Sequence, residues 1–486
     1  MAKAPGMKDK TIAGVGWSAA DALLGKGVTF LIGLVLARLL SPAEYGMISM
    51  AMVFIVILDS IADSGLSQAL IRKKEVSNDD LNTMFLAHLA ASIFLYGIIY
   101  FLAPLGEQFF HTEGLTPVTR WLGLGVIIHA LTYVQGTQLT RKIDFKSKTK
   151  AAFSSSLISG VVGITCAYNG MGVWSLVIQR LVHQILYSAV LWHINRWWPK
   201  FTFNVQSFKE MWNFGWKMML VRLLDSVWKE LYQMVVGRFY SPATLGQYSR
   251  ARQYARIFSS NITGIVQRVT YPVLAQIQDE HERLVAGYRK IIKLTMFATS
   301  TSMFMVGAIA EPLLYCMIGP KWYEAATYLP LICISMSLYP LHAINLNMIK
   351  VKGRSDIFLI LEIIKKCMAL IPLTIGALVG IRWMLVTSIC TGIIAYFMNS
   401  FYAGKSLGYT SWMQIKDVAP SYALAALLSV AVYFFKYLPI SNFIILPIQL
   451  IVGFGLFFVI CEAWKPEEYI ELKVIVKHEY KKLFRK

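Results

Sequence analysis

Charged side chains stand inside long apolar stretches of this 486-residue sequence. In one stretch Arg222, Asp225 and Lys229 follow at spacings of three and four, so on a helix they share one face about 10 Å long. In the next stretch Arg252 and Arg256 lie one helical turn apart. A guanidinium group stays charged and can bind phosphate oxygens through two parallel hydrogen bonds. The pattern predicts a cationic surface for a pyrophosphate or an acidic sugar.

The same residues could instead form closed ion pairs that tie helices together. Arg222 with Asp225, and Asp225 with Lys229, both have the spacing for this. However, the two stretches hold four central cations against Asp225, with Glu230 nearer one end. Local pairing cannot neutralise them all, so we favour the anion-binding interpretation, with Asp225 balancing charge.

The first part of the chain contributes buried carboxylates. Asp21 and Lys26 lie in the first apolar stretch, and Asp59 and Asp63 lie one turn apart in the second. Charged groups within a membrane usually face a cavity or a partner. Lys26 therefore joins the predicted cationic surface. Asp21, Asp59, Asp63 and Asp225 are candidates to carry a coupling proton or sodium ion, although Asp63 stands near a stretch end, where solvation is the alternative.

Motifs for metal binding or covalent catalysis were not found in the sequence. Its six cysteines lie in or beside apolar stretches without paired spacing. His88, His129 and His183 occur singly and are interpreted as packing or hydrogen-bonded residues. The sequence therefore predicts a protein that is not an enzyme, with no catalytic residue and no metal ligand. A proton or sodium ion is the one cofactor it leaves open.

The composition is that of a membrane protein. Hydrophobic residues make up 56% of the chain, charged residues 15%, and the mean hydropathy is +0.53. A run of about 20 apolar residues in a helix spans the hydrocarbon core. We predict an all-α polytopic protein with 14 transmembrane helices, near residues 12–37, 43–66, 81–104, 117–138, 151–169, 173–194, 212–237, 243–266, 290–316, 325–348, 356–380, 383–404, 419–437 and 442–464.

The net charge of +20 comes from basic residues whose distribution along the chain agrees with the predicted topology. Lysine and arginine concentrate in alternate loops, whereas the loops 106–116 and 169–172 contain neither. Basic residues mark cytoplasmic loops, so both termini are predicted to be cytoplasmic. The charge is thereby explained without a nucleic-acid partner. The basic tail 465–486 alternates apolar and basic residues, which predicts an amphipathic helix on the inner leaflet.

A nine-residue pattern occurs twice. RLLSPAEYG covers Arg38–Gly46, and RFYSPATLG covers Arg238–Gly246. Two further matches keep nearly the same offset of 199 or 200 residues: Gly16-Trp17 with Gly215-Trp216, and Ser64–Gln68 with Thr263–Gln267. The serine of each pattern can cap the helix that its proline begins.

The matches indicate a duplicated six-span unit. Because six is even, the two repeats enter the membrane in the same sense, and a substrate site is expected between them. The predicted division is an N-lobe over 1–203, a C-lobe over 204–405, two further spans over 406–464 and the cytoplasmic tail over 465–486.

Four motifs carry a resemblance to a known family. They are ARLLSPAEYG at residues 37–46, GVWSLV at 172–177, YPVLAQIQDEHERL at 271–284 and IGPKW at 318–322. With them the chain resembles the Wzx-type polysaccharide exporters of the multidrug/oligosaccharidyl-lipid/polysaccharide (MOP) flippase superfamily, nearest to the colanic-acid-exporter branch.

The resemblance implies a V-shaped pair of lobes around a central cavity. It further implies alternating-access transport, across the bacterial inner membrane, of an undecaprenyl-pyrophosphate-linked repeat unit of O-antigen, capsule or exopolysaccharide. The implied partners are this lipid-linked saccharide, membrane lipids, and polymerase and chain-length proteins.

Two other functions remain open. A multidrug or cation antiporter of the same superfamily would need an acidic, aromatic cavity, whereas the stretches around Arg222 and Arg252 are basic. A membrane enzyme acting on the lipid carrier is disfavoured by short outer loops.

Overall fold

The computed structural model describes residues 26–405 and 407–483, without the side chains of 26, 260–262, 265–269, 475–476 and 478–483. All regular structure in these residues is helical. Asp21 and Gly16-Trp17 lie outside the described residues, and so do the side chains of Lys26 and Gln267.

The chain forms two compact units, Met1–Gly246 and Gln247–Lys486. The described helices that begin in the first unit are α1 (Lys26–Leu39), α2 (Pro42–Ala62), α3 (Leu66–Arg72), α4 (Asn78–Phe110), α5 (Leu115–Arg141), α6 (Phe145–Tyr168), α7 (Val173–Asn195), α8 (Val205–Phe239) and α9 (Pro242–Gln276). Helix α9 continues into the second unit.

The second unit contains the remaining described helices. They are α10 (His281–Ala308), α11 (Ala310–Ile318), α12 (Tyr323–Ser337), α13 (Tyr339–Val351), α14 (Ser355–Leu378), α15 (Ile381–Lys405), α16 (Ser411–Tyr433), α17 (Asn442–Trp464) and α18 (Glu467–Leu483), with short 3-10 turns at Pro320–Trp322 and Phe434–Tyr437. The tail is therefore helical as predicted over α18.

Eight segments in the described part of the chain are long and apolar enough to cross a membrane. They are Pro42–Arg72, Asn78–Phe110, Phe145–Tyr168, His281–Ala308, Pro320–Val351, Ile381–Lys405, Ser411–Tyr437 and Asn442–Trp464. The protein is thus a multi-pass membrane protein. The other predicted spans fall on the shorter α1 and on the helices α5, α7, α8, α9 and α14, and the total of 14 remains a prediction.

Both copies of the Ser-Pro pattern start a helix. Ser41 accepts a hydrogen bond from the backbone N–H of Glu44, and the Glu44 carboxylate accepts one at 2.6 Å from the backbone N–H of Ser41. Ser241 accepts from the backbone N–H of Thr244 at 3.2 Å. These bonds satisfy amide groups that lack a partner in the first turn of a helix. The predicted capping role of the two serines is confirmed.

Helix α8 belongs to the first compact unit. It packs against α2, α3 and α4, although the repeat places it at the start of the second six-span unit. The compact units consequently divide after Gly246, later than the predicted lobe boundary at 203. The compact units reflect packing, whereas the predicted lobes reflect the sequence repeat, so their boundaries need not coincide. The repeat-based lobes remain a prediction.

The IGPKW motif has a packing role inside the second unit. The Gln247 side chain donates to the backbone carbonyl of Lys321 at 2.7 Å and accepts from the backbone N–H of Ala325 at 3.0 Å. Trp322 is fully buried, and the Arg250 guanidinium lies 6.0 Å from its ring centre. The motif thus fixes α9 to the start of α12.

Candidate functional site

Asp63 and Arg222 form an ion pair between two helices of the first unit. Asp63 directly follows α2, and Arg222 lies on α8. The carboxylate also accepts a hydrogen bond at 2.8 Å from the Ser67 hydroxyl. The side chain of Asp63 is only 8% exposed. Solvation, the alternative expected for Asp63 from its sequence position, is therefore wrong: the protein itself supplies the countercharge.

The backbone at Asp63 is also engaged. Nε2 of the buried His88 lies 2.9 Å from the backbone carbonyl oxygen of Asp63. A carbonyl oxygen only accepts, so Nε2 carries the proton in this contact. His88 therefore serves as a hydrogen-bonded structural residue, as predicted for the single histidines.

Asp225 and Lys229 form the second ion pair of α8. The ammonium group lies 2.5 Å from the Asp225 carboxylate, and both side chains are more than half exposed. Of the two local pairs that the spacing allowed, Asp225–Lys229 is formed, whereas Arg222 pairs with Asp63. Both predicted cations of α8 thus have a carboxylate partner within the first unit. The charge surplus expected from this helix is correspondingly smaller than the sequence indicated.

The lower end of α8 has a third contact of this kind. Lys73, between α3 and α4, lies 2.9 Å from Asp80 and 3.1 Å from Glu210 of α8. The hydrogen bond to Asp80 is the main cause that raises the pKa of Lys73. Residue 73 lies outside the apolar segments, so this contact belongs to the polar end of the unit.

Arg252 and Arg256 lie on the part of α9 that belongs to the second unit. Arg252 is half-buried and Arg256 is exposed, and both have interaction partners. The neighbouring Arg250 is buried, where it contacts Trp322 and donates to Gln253 at 2.6 Å. Arg250 therefore faces the core of the unit, whereas Arg252 and Arg256 lie nearer its surface.

Asp59 lies in a polar cluster of the first unit. Its carboxylate is 3.1 Å from Nδ1 of His129 and accepts at 3.3 Å from the hydroxyl of Tyr133, both on α5. The carboxylate is about one-third exposed. A carboxylate, an imidazole and a phenol within hydrogen-bonding distance can share and exchange a proton. His129, expected only to pack or hydrogen-bond, thus has a partner that gives it a possible chemical role.

Arg180 on α7 was missed by the sequence reasoning. Its side chain is exposed and forms no hydrogen bond or ion pair with the described residues, while it lies close enough to Asp59 and His183 to interact electrostatically. The available signal was the one used for Arg252: an arginine seven residues inside a predicted span. Arg180 therefore adds a cation near the polar cluster of Asp59 and His129 without a direct ion pair among the described residues.

Within the described residues no group of three or more histidine, cysteine and acidic side chains could hold a metal ion. Arg222 and Lys229, which the sequence predicted for an anion, are already paired with carboxylates.

The fold matches that of known transporters. The structure titled lipid II flippase MurJ, in an inward closed conformation, superposes with a TM-score of 0.70 at 15% identity, covering 93% of this chain and 98% of that one. An inward-facing multidrug resistance MATE family transporter of the MOP superfamily gives 0.60 at 15% identity, with coverages of 80% and 99%. These similarities show the class of fold: the chain shares an all-helical fold with structures of known membrane transporters.

Sequence comparison gives the family. Residues 35–327 match the model described as polysaccharide biosynthesis protein, and the chain belongs to this family. The succinoglycan biosynthesis transport protein ExoT of Rhizobium meliloti is 25% identical over 336 residues, 69% of this chain and 68% of that protein. The lipopolysaccharide biosynthesis protein WzxC of Escherichia coli is 21% identical over 441 residues, 87% and 89% of the two chains. The first of these relatives is named as a transport protein and neither name describes an enzyme, in agreement with the prediction that the chain is not an enzyme.

Proposed function

We propose that this protein is a flippase that moves undecaprenyl-pyrophosphate-linked oligosaccharide across the bacterial inner membrane by alternating access. The substrate would be a repeat unit of O-antigen, capsule or exopolysaccharide. Both termini would face the cytoplasm, and polymerase and chain-length proteins would receive the product. Membership in the polysaccharide biosynthesis family supports the proposal that the substrate contains a saccharide.

The observation that carries the proposal is the exposed residue Arg180 on α7, which is one of the predicted spans of the first unit. An unpaired cation at membrane depth is costly, on the order of 2.5–3.5 kcal/mol on insertion scales, unless it faces water or an anion. A pyrophosphate group supplies that anion and matches the fork of a guanidinium. Arg252 and Arg256, which belong to the second unit, are proposed to bind an anionic group of the substrate by the same chemistry.

Transport measurements on arginine variants test this function. In proteoliposomes that carry a lipid-linked oligosaccharide, Arg180→Ala, Arg252→Ala and Arg256→Ala should each lose transport while accumulating normally in the membrane. A charge-assisted hydrogen bond to phosphate contributes about 1.5–3 kcal/mol, so each loss should be on the order of tenfold to a hundredfold. Arg180→Lys keeps the charge without the fork and should retain part of the activity. Wild-type transport in all three alanine variants would refute the assignment.

A second candidate function is antiport of cations, which the MATE-like fold allows. The exposed carboxylate of Asp59 is the observation that favours it. We propose instead that Asp59, with His129 and Tyr133, carries the coupling proton. A wild-type protein that takes up cationic dyes but no lipid-linked saccharide would support the antiporter.

A further inference from the structure

A cavity of about 640 Å³ lies in the second unit, between α10 and the tail helix α18. One wall carries three cations of α10, and the other carries three carboxylates from the first turns of α18. These residues are Arg289, Lys290 and Lys293 on α10, and Glu467, Glu468 and Glu471 on α18. Apolar side chains also line it, among them Val285, Leu294 and Leu407. The cavity thus offers charges of both signs next to apolar surface.

The two charged walls already bind each other. Nζ of Lys290 lies 2.6 Å from the carboxylate of Glu471. Nζ of Lys293 lies 2.9 Å from that of Glu467 and 3.3 Å from that of Glu468. The side chains of Lys290 and Glu467 are 58% and 83% exposed, and exposed ion pairs contribute little to stability. A ligand that binds both walls at once can therefore replace these pairs at small cost.

The cavity lies at the level of the membrane surface. Helix α17 ends at Trp464, shortly before α18 begins, and α16 begins beside Trp412. Because α16 and α17 are consecutive helices joined by a short turn, these two ends lie on the same side. Both tryptophans are exposed. Tryptophans at the ends of spans are typical of the membrane–water interface, so the cavity is within reach of lipid headgroups.

Helix α18 is anchored by one apolar side chain and presents others. Tyr469 is buried, its ring centre lies 6.2 Å from that of Phe457, and its hydroxyl donates to Glu462 at 2.7 Å. Ile470 and Val474, one helical turn apart, are exposed. Exposed apolar side chains of an interfacial helix contact acyl chains. A lipid beside α18 would therefore gain apolar contacts as well as headgroup contacts.

The charges select the kind of headgroup. Arg289 is already bound by Asp417 of α16, and Glu282 adds a fourth carboxylate to the lining. A headgroup with only negative charge would therefore meet more carboxylates than ammonium groups. A headgroup with a phosphate and a primary ammonium matches both walls, since the phosphate accepts from Lys290 and Lys293 and the ammonium donates to the glutamates. A quaternary ammonium has no N–H to donate.

We propose that the cavity between α10 and α18 is a binding site for a zwitterionic phospholipid with a primary ammonium, namely phosphatidylethanolamine. Its phosphate replaces the glutamates as the partner of Lys290 and Lys293, and its ammonium binds the glutamates that are released. The buried Tyr469 keeps α18 in place. The lining does not include the arginines proposed to bind the transported substrate, so the lipid site does not depend on what the protein transports.

Lipid binding to the purified full chain tests the site. The protein in a nonionic detergent is titrated with phosphatidylethanolamine, phosphatidylcholine and phosphatidylglycerol of identical acyl chains, and bound lipid is counted by native mass spectrometry. One phosphatidylethanolamine should bind about tenfold more tightly than either other lipid, because it alone satisfies both walls. Equal affinity for the three lipids, or tightest binding of phosphatidylglycerol, would overturn the proposal.

Neutralising one wall at a time gives a sharper test. Lys290→Gln should weaken phosphatidylethanolamine binding about tenfold, because the phosphate loses one partner. Glu471→Gln should also weaken it, but should strengthen phosphatidylglycerol binding, because it frees Lys290 for an anion. The matched control is Glu280→Gln, which breaks an exposed ion pair with Arg283 outside the cavity lining and should change no affinity. An unchanged lipid preference in both wall variants would show that the Lys290–Glu471 pair is structural only.

A soluble headgroup distinguishes a lipid site from a site for a free zwitterion. Glycerophosphoethanolamine carries the same phosphate and ammonium without acyl chains. It should compete with phosphatidylethanolamine at least about tenfold more weakly than the lipid itself, because it lacks the apolar contacts to Ile470 and Val474. Competition at equal concentration would assign the cavity to a soluble ligand and overturn the lipid site.

Discussion

Asp63 and Asp417 are both buried aspartates that bind an arginine on another helix, and their surroundings differ. Asp417 on α16 accepts from Nε and Nη2 of Arg289 at 2.5 and 2.6 Å and from the Tyr409 hydroxyl at 2.7 Å. Asp63 pairs with Arg222 and accepts from Ser67, which is its own neighbour along the chain. The carboxylate of Asp417 is therefore held by donors from two separate elements, including a two-pronged guanidinium.

The helices that these pairs join differ as well. Arg289–Asp417 connects α10 and α16, which pack extensively inside the second unit. Arg222–Asp63 lies near the close backbone approach of Gly65 and Gly215, beside a buried cluster that includes Leu66 and Met211. The two ion pairs thus join differently packed helices and are held by different numbers of donors, so their contributions to stability are expected to differ.

The largest effect on stability is expected for Arg289→Ala. The variant leaves the Asp417 carboxylate buried with only Tyr409 as donor, which should cost about 2–3 kcal/mol. The midpoint of thermal unfolding in detergent should fall. Arg283→Ala is the matched control on the same helix, because its pair with Glu280 is exposed on both sides and should contribute well under about 1 kcal/mol. Equal unfolding midpoints for the two variants would show that the stability of the fold does not depend on the Arg289–Asp417 ion pair.

A functional effect with little loss of stability is expected for Asp63→Asn. Asparagine keeps the size of the side chain and can still accept from Ser67, but it removes the countercharge of Arg222. Transport should fall by about tenfold, a shift of roughly 1.4 kcal/mol between transporter states, while the unfolding midpoint moves less than in Arg289→Ala. The control is the exposed Asp79→Asn on α4. A midpoint shift as large as that of Arg289→Ala would show that the Asp63–Arg222 ion pair contributes as much to stability as Arg289–Asp417 does.

The smallest change in stability is expected for Asp225→Asn. The Asp225–Lys229 pair is exposed and contributes about 0.3–0.5 kcal/mol. If Asp225 balances charge, the variant should bind the lipid-linked anion more tightly and turn over more slowly, because release depends on differential affinity between states. Transport into proteoliposomes is measured with and without an imposed ion gradient. Gradient-independent transport at unchanged affinity would instead identify Asp225 as the coupling site.

Local features of the fold could be predicted from the sequence because they depend on near neighbours. The serine caps at Ser41 and Ser241 follow from residue types at fixed short spacings. The Asp225–Lys229 pair follows from helical periodicity. The all-helical membrane class follows from the length of the apolar stretches. None of these required knowledge of which helix touches which.

The other parts of the candidate site depend on contacts between distant segments. Arg222 was predicted to bind an anion, with a pair to Asp225 three residues away as the alternative, but its partner is Asp63 at the end of α2. His129 joins Asp59 across 70 positions of sequence. Arg180 could have been identified by the argument applied to Arg252, since it too is an arginine inside an apolar stretch. Gly46 and Gly246 were visible as a repeat, yet their mutual contact appears only in three dimensions.

The contact between the two copies of the nine-residue pattern has an evolutionary consequence. Each copy of the nine-residue pattern is the packing partner of the other, since Gly46 meets Pro242 and Gly246 meets Pro42. In the duplicated unit that the sequence predicts, most positions of the two copies could diverge, because a larger side chain on one helix can be accommodated by a smaller one opposite. At this contact no such exchange exists, as glycine has no side chain to give up. Selection on either copy is therefore selection on both, and two stretches 200 residues apart share the same arginine, Ser-Pro-Ala and glycine.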